Sequence, residues 1–256
     1  MRCRKMARKD ETPMQTVLKD TLRLGLQGVN MIAHRGVSGL ERENTCAAFV
    51  AAGNRSYYGI ETDIHRTADG RYIVVHDDDL RRVAGLNHVI EETEFDVLRT
   101  VRLTDMDGQE RADLVLPDLE EYVRVCRKYD KESVLEIKRP FEPADIENVI
   151  AVIRRLHWLE RTIFISFELS NLVCIREMLP QQRAQYLVST FDTGLLDILR
   201  AHRLDLDIRH TALDGQLVGA CHDAGIQVNV WTVDSVQEAR RLAACGVDYM
   251  TTNILE

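Results

Sequence analysis

The chain has 256 residues, 45% of them hydrophobic, and a formal net charge of -8. That is enough apolar material for one large core of the size of an α/β barrel. The acidic balance, without an extended basic stripe, argues against nucleic acid as a partner, and no apolar run reaches the length of a membrane span.

Residues 1–30 form a lead segment. It opens basic, with Arg2, Arg4, Lys5, Arg8 and Lys9, but Asp10 and Glu11 follow where a secretory signal needs an apolar run. Val17, Leu18, Leu22 and Leu24 fit one side of a short helix, read here as a plug for one end of a barrel in preference to a membrane contact. From Met31 onward, strand-like and helix-like segments alternate. Parallel-strand candidates lie at 31–34, 59–64, 133–138, 162–167, 184–189, 205–210, 226–233 and 247–252. Amphipathic helices are expected at 43–55, 118–129, 143–159, 169–178, 194–202, 215–224 and 235–244. Asp118 and Ser235 are placed to cap two of them, and Gly246 to end the last. Eight such units predict a (β/α)8 TIM barrel over residues 31–256, with a doubly wound open sheet as the runner-up. Six scattered cysteines (Cys3, Cys46, Cys126, Cys174, Cys221, Cys245) form no CxxC pair, which reads as free thiols in a reducing cytoplasm.

Several of these runs end in charge: MIAHRG, GIETDI, YIVVHDD and VLEIKR. Strand ends project side chains from a rigid frame, so charge there builds a site more readily than a core. Glu61 and Asp63 are two apart on an extended run and share a face, as do Glu136 and Lys138. Thr67-Ala68-Asp69-Gly70 is a turn signal. A hairpin centred between Ala68 and Asp69 pairs Glu61 with His76 and Asp63 with Val74, which returns His76 to the carboxylates. Three oxygen donors without a cysteine suit Mg²⁺ or Ca²⁺. The polar stretch 77–117 follows His76 directly and is read as an insertion over the active-site mouth, a lid or a selector of substrate.

In this order and spacing, the motifs resemble those of the glycerophosphodiester phosphodiesterase family from Met31 nearly to the last residue. They are His34-Arg35-Gly36, Glu43-Asn44-Thr45, Glu61-Thr62-Asp63, Thr67, Asp69-Gly70, His76-Asp77, Glu136-Ile137-Lys138 and Val230-Trp231-Thr232-Val233. The resemblance implies a barrel enzyme that hydrolyses glycerophosphodiesters to glycerol 3-phosphate and an alcohol. It also implies a divalent cation on Glu61, Asp63 and Glu136, an acid/base pair in His34 and His76, and phosphate contacts from Arg35 and Lys138. Two positions depart from the family pattern. Arg42 replaces a common proline before Glu-Asn-Thr, and the last strand ends Thr251-Thr252-Asn253 where an aspartate is usual.

The chemistry is consistent on its own terms. A phosphodiester needs its charge neutralised, its leaving oxygen protonated and its nucleophile deprotonated, and cations with a histidine pair supply all three. The nucleophile is left open between water and a neighbouring substrate hydroxyl. Trp231 is read as packing against the alcohol half or, equally, as barrel core. His65 lies in phase with Glu61 and Asp63 but beyond them, where exposure is the expectation. Two other functions stay open: a lysophospholipase D-type lipid phosphodiesterase, for which Val83, Leu86, Val89 and Ile90 would form an apolar rim, and a non-catalytic phosphate-binding barrel.

Overall fold

The computed structural model describes residues 20–256. Nine strands are present: β1 (Asn30–Ala33), β2 (Gly59–Arg66), β3 (Tyr72–Val74), β4 (Glu132–Ile137), β5 (Thr162–Ser166), β6 (Ala184–Val188), β7 (Asp205–Arg209), β8 (Val228–Trp231) and β9 (Tyr249–Thr252). Helices α1 (Cys46–Gly53), α2 (Arg81–Ala84), α3 (Phe95–Leu98), α4 (Leu119–Lys128), α5 (Pro143–Arg155), α6 (Leu169–Met178), α7 (Leu195–His202), α8 (Gly215–Asp223) and α9 (Val236–Cys245) lie between them. β1 pairs in parallel with both β2 and β9, so eight parallel strands close on themselves and β3 hangs antiparallel on β2. Closure removes the open-sheet alternative and gives the predicted TIM barrel.

Alternation along each strand separates two layers. Ile60 and Ile64 of β2, Leu135 and Ile137 of β4, and Leu206 and Ile208 of β7 face outward into the main core beneath the helices. Ile32, Val134, Ile163, Ile165, Leu187 and Tyr249 form a separate apolar layer inside the barrel. Above that layer the inward positions turn polar, and the cavity opens there, at the C-terminal ends of the strands. Local signals are those read in the sequence. Asp118 and Glu121 make a reciprocal capping box on α4, and Gly246 ends α9 in the left-handed conformation.

Three expectations change. The hairpin register is one residue off: Ile64 faces Val74 and Arg66 faces Tyr72, because Thr67 and Arg71 close a loop of three residues with Thr67 N donating to Arg71 O at 2.8 Å. Within the lead segment, residues 20–30 contain no helix. Leu22 instead bridges Leu255 in extended conformation, and Leu24 packs on the main core; Val17 and Leu18 lie outside the described residues. The insertion has a core of its own, built from Leu80, Val83, Ile90, Phe95, Leu98, Val101, Leu103, Leu114 and Leu116 against Ile73 and Val75. Val83 and Ile90 are therefore buried there, and only Leu86 and Val89 of the expected apolar rim are exposed.

Candidate active site

One cavity, with about 470 Å³ of open space, lies at the strand ends and is lined by His34, Arg35, Glu61, His76, Glu136, Lys138, Trp231 and, from the opposite wall, Ile165, Phe167, Leu187 and Asp207. All the predicted site residues except Asp63 line it, and Asp63 sits buried beside Glu61 and Glu136. Carboxylate oxygens of these three acids lie within 4.8 Å of one another. Two oxygens held by one Mg²⁺ or Ca²⁺ at roughly 2.0–2.6 Å can be no more than about 5 Å apart, so the spacing fits one such ion. Asp63 Oδ1 makes no hydrogen bond among the described residues, and its nearest charge partner is Lys138 Nζ at 3.4 Å.

The electrostatics point the same way. Burial, reinforced by the charges of Asp63 and Glu136, pushes Glu61 well above the usual carboxylate range. Burial and the Asp63 charge push Glu136 up to about 7. Asp63 is the exception: although burial opposes it, Lys138 and Arg35 hold its carboxyl far below its ordinary value. Lys138 Nζ reaches Glu136 Oε1 at 2.8 Å and Asp63 Oδ1 at 3.4 Å. A cluster that favours protons when alone is one that a divalent cation would relieve.

The loop from β1 to α1 aims these groups. Arg35 N donates to Glu61 Oε2 at 2.7 Å and Arg35 Nη1 to Glu43 Oε1 at 2.8 Å. Asn44 Nδ2 donates to Asp63 Oδ2 at 2.8 Å while its Oδ1 accepts from Thr62 Oγ1 at 2.7 Å. Thr45 caps α1. Gly36 has φ +76°, and a Cβ there would meet Ala48 at 2.7 Å, so only glycine lets this loop lie on α1. Each letter of the His-Arg-Gly and Glu-Asn-Thr motifs thus has a physical task. Arg42, the departure in this loop, is bound to the carbonyls of Thr104 and Asp105 and ties the loop to the insertion.

The histidines differ in their partners. His34 Nδ1 faces Asn253 Oδ1 at 2.7 Å, and Asn253 Nδ2 in turn donates to Asp234 Oδ2 at 2.6 Å. Asn253, at the second departure, therefore sets the tautomer, leaving Nε2 free at 4.0 Å from Glu61. Burial, with Arg35 close by, lowers His34 to about 4, so the ring is neutral near pH 7. His76 Nδ1 pairs with Asp77 Oδ1 at 2.7 Å. Asp77 and Glu43 share Arg82. Through that ion-pair chain the insertion braces the site from beside the mouth; none of residues 77–117 lines the cavity. His65, expected to be exposed, is fully buried with Nε2 at 3.2 Å from the His76 carbonyl. Trp231 meets Phe167 edge-on at 5.6 Å and carries Arg209 over its ring at 5.4 Å.

Sequence reasoning left Glu43, Asn44, Asp77, Asp207, Asp234, Asn253 and Phe167 without roles. Asp234 and Asn253 follow the ends of β8 and β9, and Asp207 sits on an inward position of β7. The rule that exposed Glu61 and Asp63, a polar group at an inward or terminal strand position, applies to these three as well.

A closed parallel barrel with acids and histidines at its C-terminal mouth defines a barrel enzyme with a candidate cation site. The family model described as "Glycerophosphoryl diester phosphodiesterase family" matches residues 34–256. The chain belongs to that family and is a phosphoric diester hydrolase of the glycerophosphodiester phosphodiesterase type. It is 28% identical over 229 residues to a glycerophosphodiester phosphodiesterase of Caldanaerobacter subterraneus subsp. tengcongensis, covering 87% of this chain and 93% of that one. Among solved structures it resembles an Oleispira antarctica phosphodiesterase in complex with the product sn-glycerol-3-phosphate, with a TM-score of 0.79 and 27% identity over 88% of this chain and 92% of that one. A glycerophosphodiester phosphodiesterase from Parabacteroides distasonis gives a TM-score of 0.75 and 26% identity over 90% and 94% of the two chains.

Proposed function

We propose that this enzyme hydrolyses glycerophosphodiesters to glycerol 3-phosphate and an alcohol by histidine acid/base catalysis beside a divalent cation. The observation that carries the reading is the convergence of three buried carboxylates with two differently partnered histidines on one small cavity. Glu61, Asp63 and Glu136 would hold Mg²⁺ or Ca²⁺, which when bound neutralises phosphate charge. Arg35 and Lys138 bind the remaining phosphate oxygens. His34, neutral and with Nε2 free, takes the proton of the attacking oxygen, whether that belongs to water or to the neighbouring glycerol hydroxyl. His76, its ring held by the Asp77 carboxylate, gives a proton to the leaving alcohol. Trp231 and Phe167 pack against the alcohol half.

Selection of that alcohol is assigned to the Phe167–Trp231 wall, because the insertion does not line the cavity. Of the apolar rim that a lysophospholipid would need only Leu86 and Val89 are exposed, which supports water-soluble diesters as the substrates. Five of the cysteines are free, and no helix among the described residues is long and apolar enough to cross a membrane; the free thiols support a cytoplasmic site of action. The test is a panel of glycerophosphocholine, glycerophosphoethanolamine, glycerophosphoglycerol and lysophosphatidylcholine, with and without EDTA, reading glycerol 3-phosphate and choline separately. A soluble diester should be turned over fastest, EDTA should abolish turnover, and Mg²⁺ or Ca²⁺ should restore it. Fastest release from the lysolipid would favour the lipid phosphodiesterase. Full activity after EDTA would end the cation assignment, and binding without turnover would leave a phosphate-binding barrel.

A further inference from the structure

Asp207 is a buried acid for which the reaction described above has no use. It lies on β7, 1% exposed, among the residues that line the cavity. Its Oδ1 has no hydrogen-bond partner among the described residues. Its neighbours across the sheet are Leu187 and Asn229, and only the Asn229 amide, beside it, favours its charge. Leu187 is apolar, and the Asn229 amide is shared, donating also to Gln185 Oε1 at 3.2 Å and accepting from Thr251 Oγ1 at 3.3 Å, which leaves Asp207 Oδ1 unpartnered. Nor does Asp207 belong to the acids whose oxygens cluster for a cation. A buried carboxyl oxygen without a partner opposes folding, so its presence on a cavity wall points to a ligand group that completes it.

The wall around it narrows that ligand. Ile165, Phe167 and Leu187 offer no polar side-chain atom, and the second unpartnered polar atom on this side is Trp231 Nε1. Phosphate is accounted for on the β1, β2 and β4 side by Arg35 and Lys138. Asp207 sits one pleat deeper than Arg209, which is the β7 residue level with Trp231. The deep position suits the invariant half of a diester, while a variable alcohol must leave past Phe167, which is 41% exposed at the rim. Burial, with the Glu136 charge nearby, pushes the Asp207 carboxyl well above the ordinary range. A substrate hydroxyl can both donate and accept, so it can pair with this carboxyl in either protonation state.

We propose that Asp207 is a specificity-determining residue whose carboxyl hydrogen-bonds a free hydroxyl of the substrate's glycerol half. The proposal rests on the diesterase reading above. A site built around such a bond rejects an analogue that lacks the hydroxyl, because the buried group is then left unpaired.

The experiment compares glycerophosphocholine with the two analogues in which propane-1,2-diol or propane-1,3-diol replaces glycerol, in wild type, Asp207→Asn and Asp207→Leu. Wild type should prefer glycerol over at least one analogue by on the order of 100-fold in kcat/KM. Asp207→Asn, which can still donate and accept, should keep most of that preference, and Asp207→Leu should reduce it to within about threefold. Without substrate, Asp207→Leu should melt no lower than wild type, since a group that serves a ligand does not stabilise the empty fold. Equal loss on all three diesters, an unchanged preference, or a clearly lower melting temperature in Asp207→Leu overturns the assignment. Calorimetric binding of glycerol 3-phosphate against the two propanediol phosphates, with Mg²⁺ present, reads the same preference without turnover. If wild type hydrolyses none of the diesters, the reaction assignment fails and this binding preference alone decides the role of Asp207.

Discussion

At the scale of single residues, the two histidines are distinguished by what holds their Nδ1 atoms: Asn253 for His34 and Asp77 for His76. Replacing either His34 or His76 by alanine should lower kcat by roughly 10²–10⁴-fold. Both side chains reach the cavity and leave the apolar core intact, so circular dichroism and melting should stay near wild type. Near wild-type turnover in a folded variant would remove that residue from its role. Asn253→Ala should release the His34 ring, with kcat falling roughly 10–100-fold, the range for lost orienting partners, and KM little changed. A rise in KM with kcat intact would show that Asn253 binds substrate instead.

Glu43 makes a pH prediction. Although burial opposes it, hydrogen bonds and charge from Arg82 and Arg35 lower its carboxyl from 4.5 to about 2. A folded-state value below the unfolded one contributes stability above the unfolded pKa, and this is lost as pH falls from about 4.5 through 2. The shift corresponds to roughly 3 kcal/mol. Urea titrations from pH 6 to pH 2 should show a shallower acid loss for Glu43→Gln than for wild type; parallel curves would contradict the assignment.

Among the elements, magnitudes separate two helix starts. The β1–α1 loop lies on α1 only because Gly36 adopts φ +76° against Ala48. Gly36→Ala combines left-handed strain with overpacking and should cost roughly 2–4 kcal/mol, and it should also lower activity, because the loop carries Arg35 and Asn44. On α4, Asp118→Ala removes one side of a capping box and should cost about 1 kcal/mol with activity unchanged, since α4 contributes nothing to the cavity. Denaturation midpoints together with kcat/KM check both. Equal effects of the two substitutions on activity would show that α1 docking does not position the site.

For the whole molecule, three acids gathered at one end of a closed barrel should make stability depend on a cation. Added Mg²⁺ or Ca²⁺ at about 100 times its Kd should stabilise the fold by roughly 2.7 kcal/mol. Scanning calorimetry should show a higher melting temperature with the cation than in EDTA, and Glu61→Gln should weaken that shift. An identical melting temperature with and without either ion would exclude a tight site.

The sequence by itself carried the eight alternating strand and helix units, because strand and helix periods are local, and eight units of that size allow few arrangements. It also carried His34, Arg35, Glu61, Asp63, His76, Glu136 and Lys138, because charge closing an apolar run is visible without knowing what lies opposite. Closure was decided only by tertiary structure, since pairing β1 with β9 joins residues more than two hundred apart. The hairpin register depended on how Thr67 and Arg71 close their loop, and a one-residue difference leaves no mark in composition. The insertion's place depended on Ile73 and Val75, whose outer face buries Val83 and Ile90 that look exposed in isolation. Asn253 and Asp207 took their meaning from what other strands place beside them, the one paired with His34 and the other left with one carboxyl oxygen unpartnered among the described residues. Hydrogen bonding between distant strand ends is a property of the closed barrel, and no local pattern encodes it.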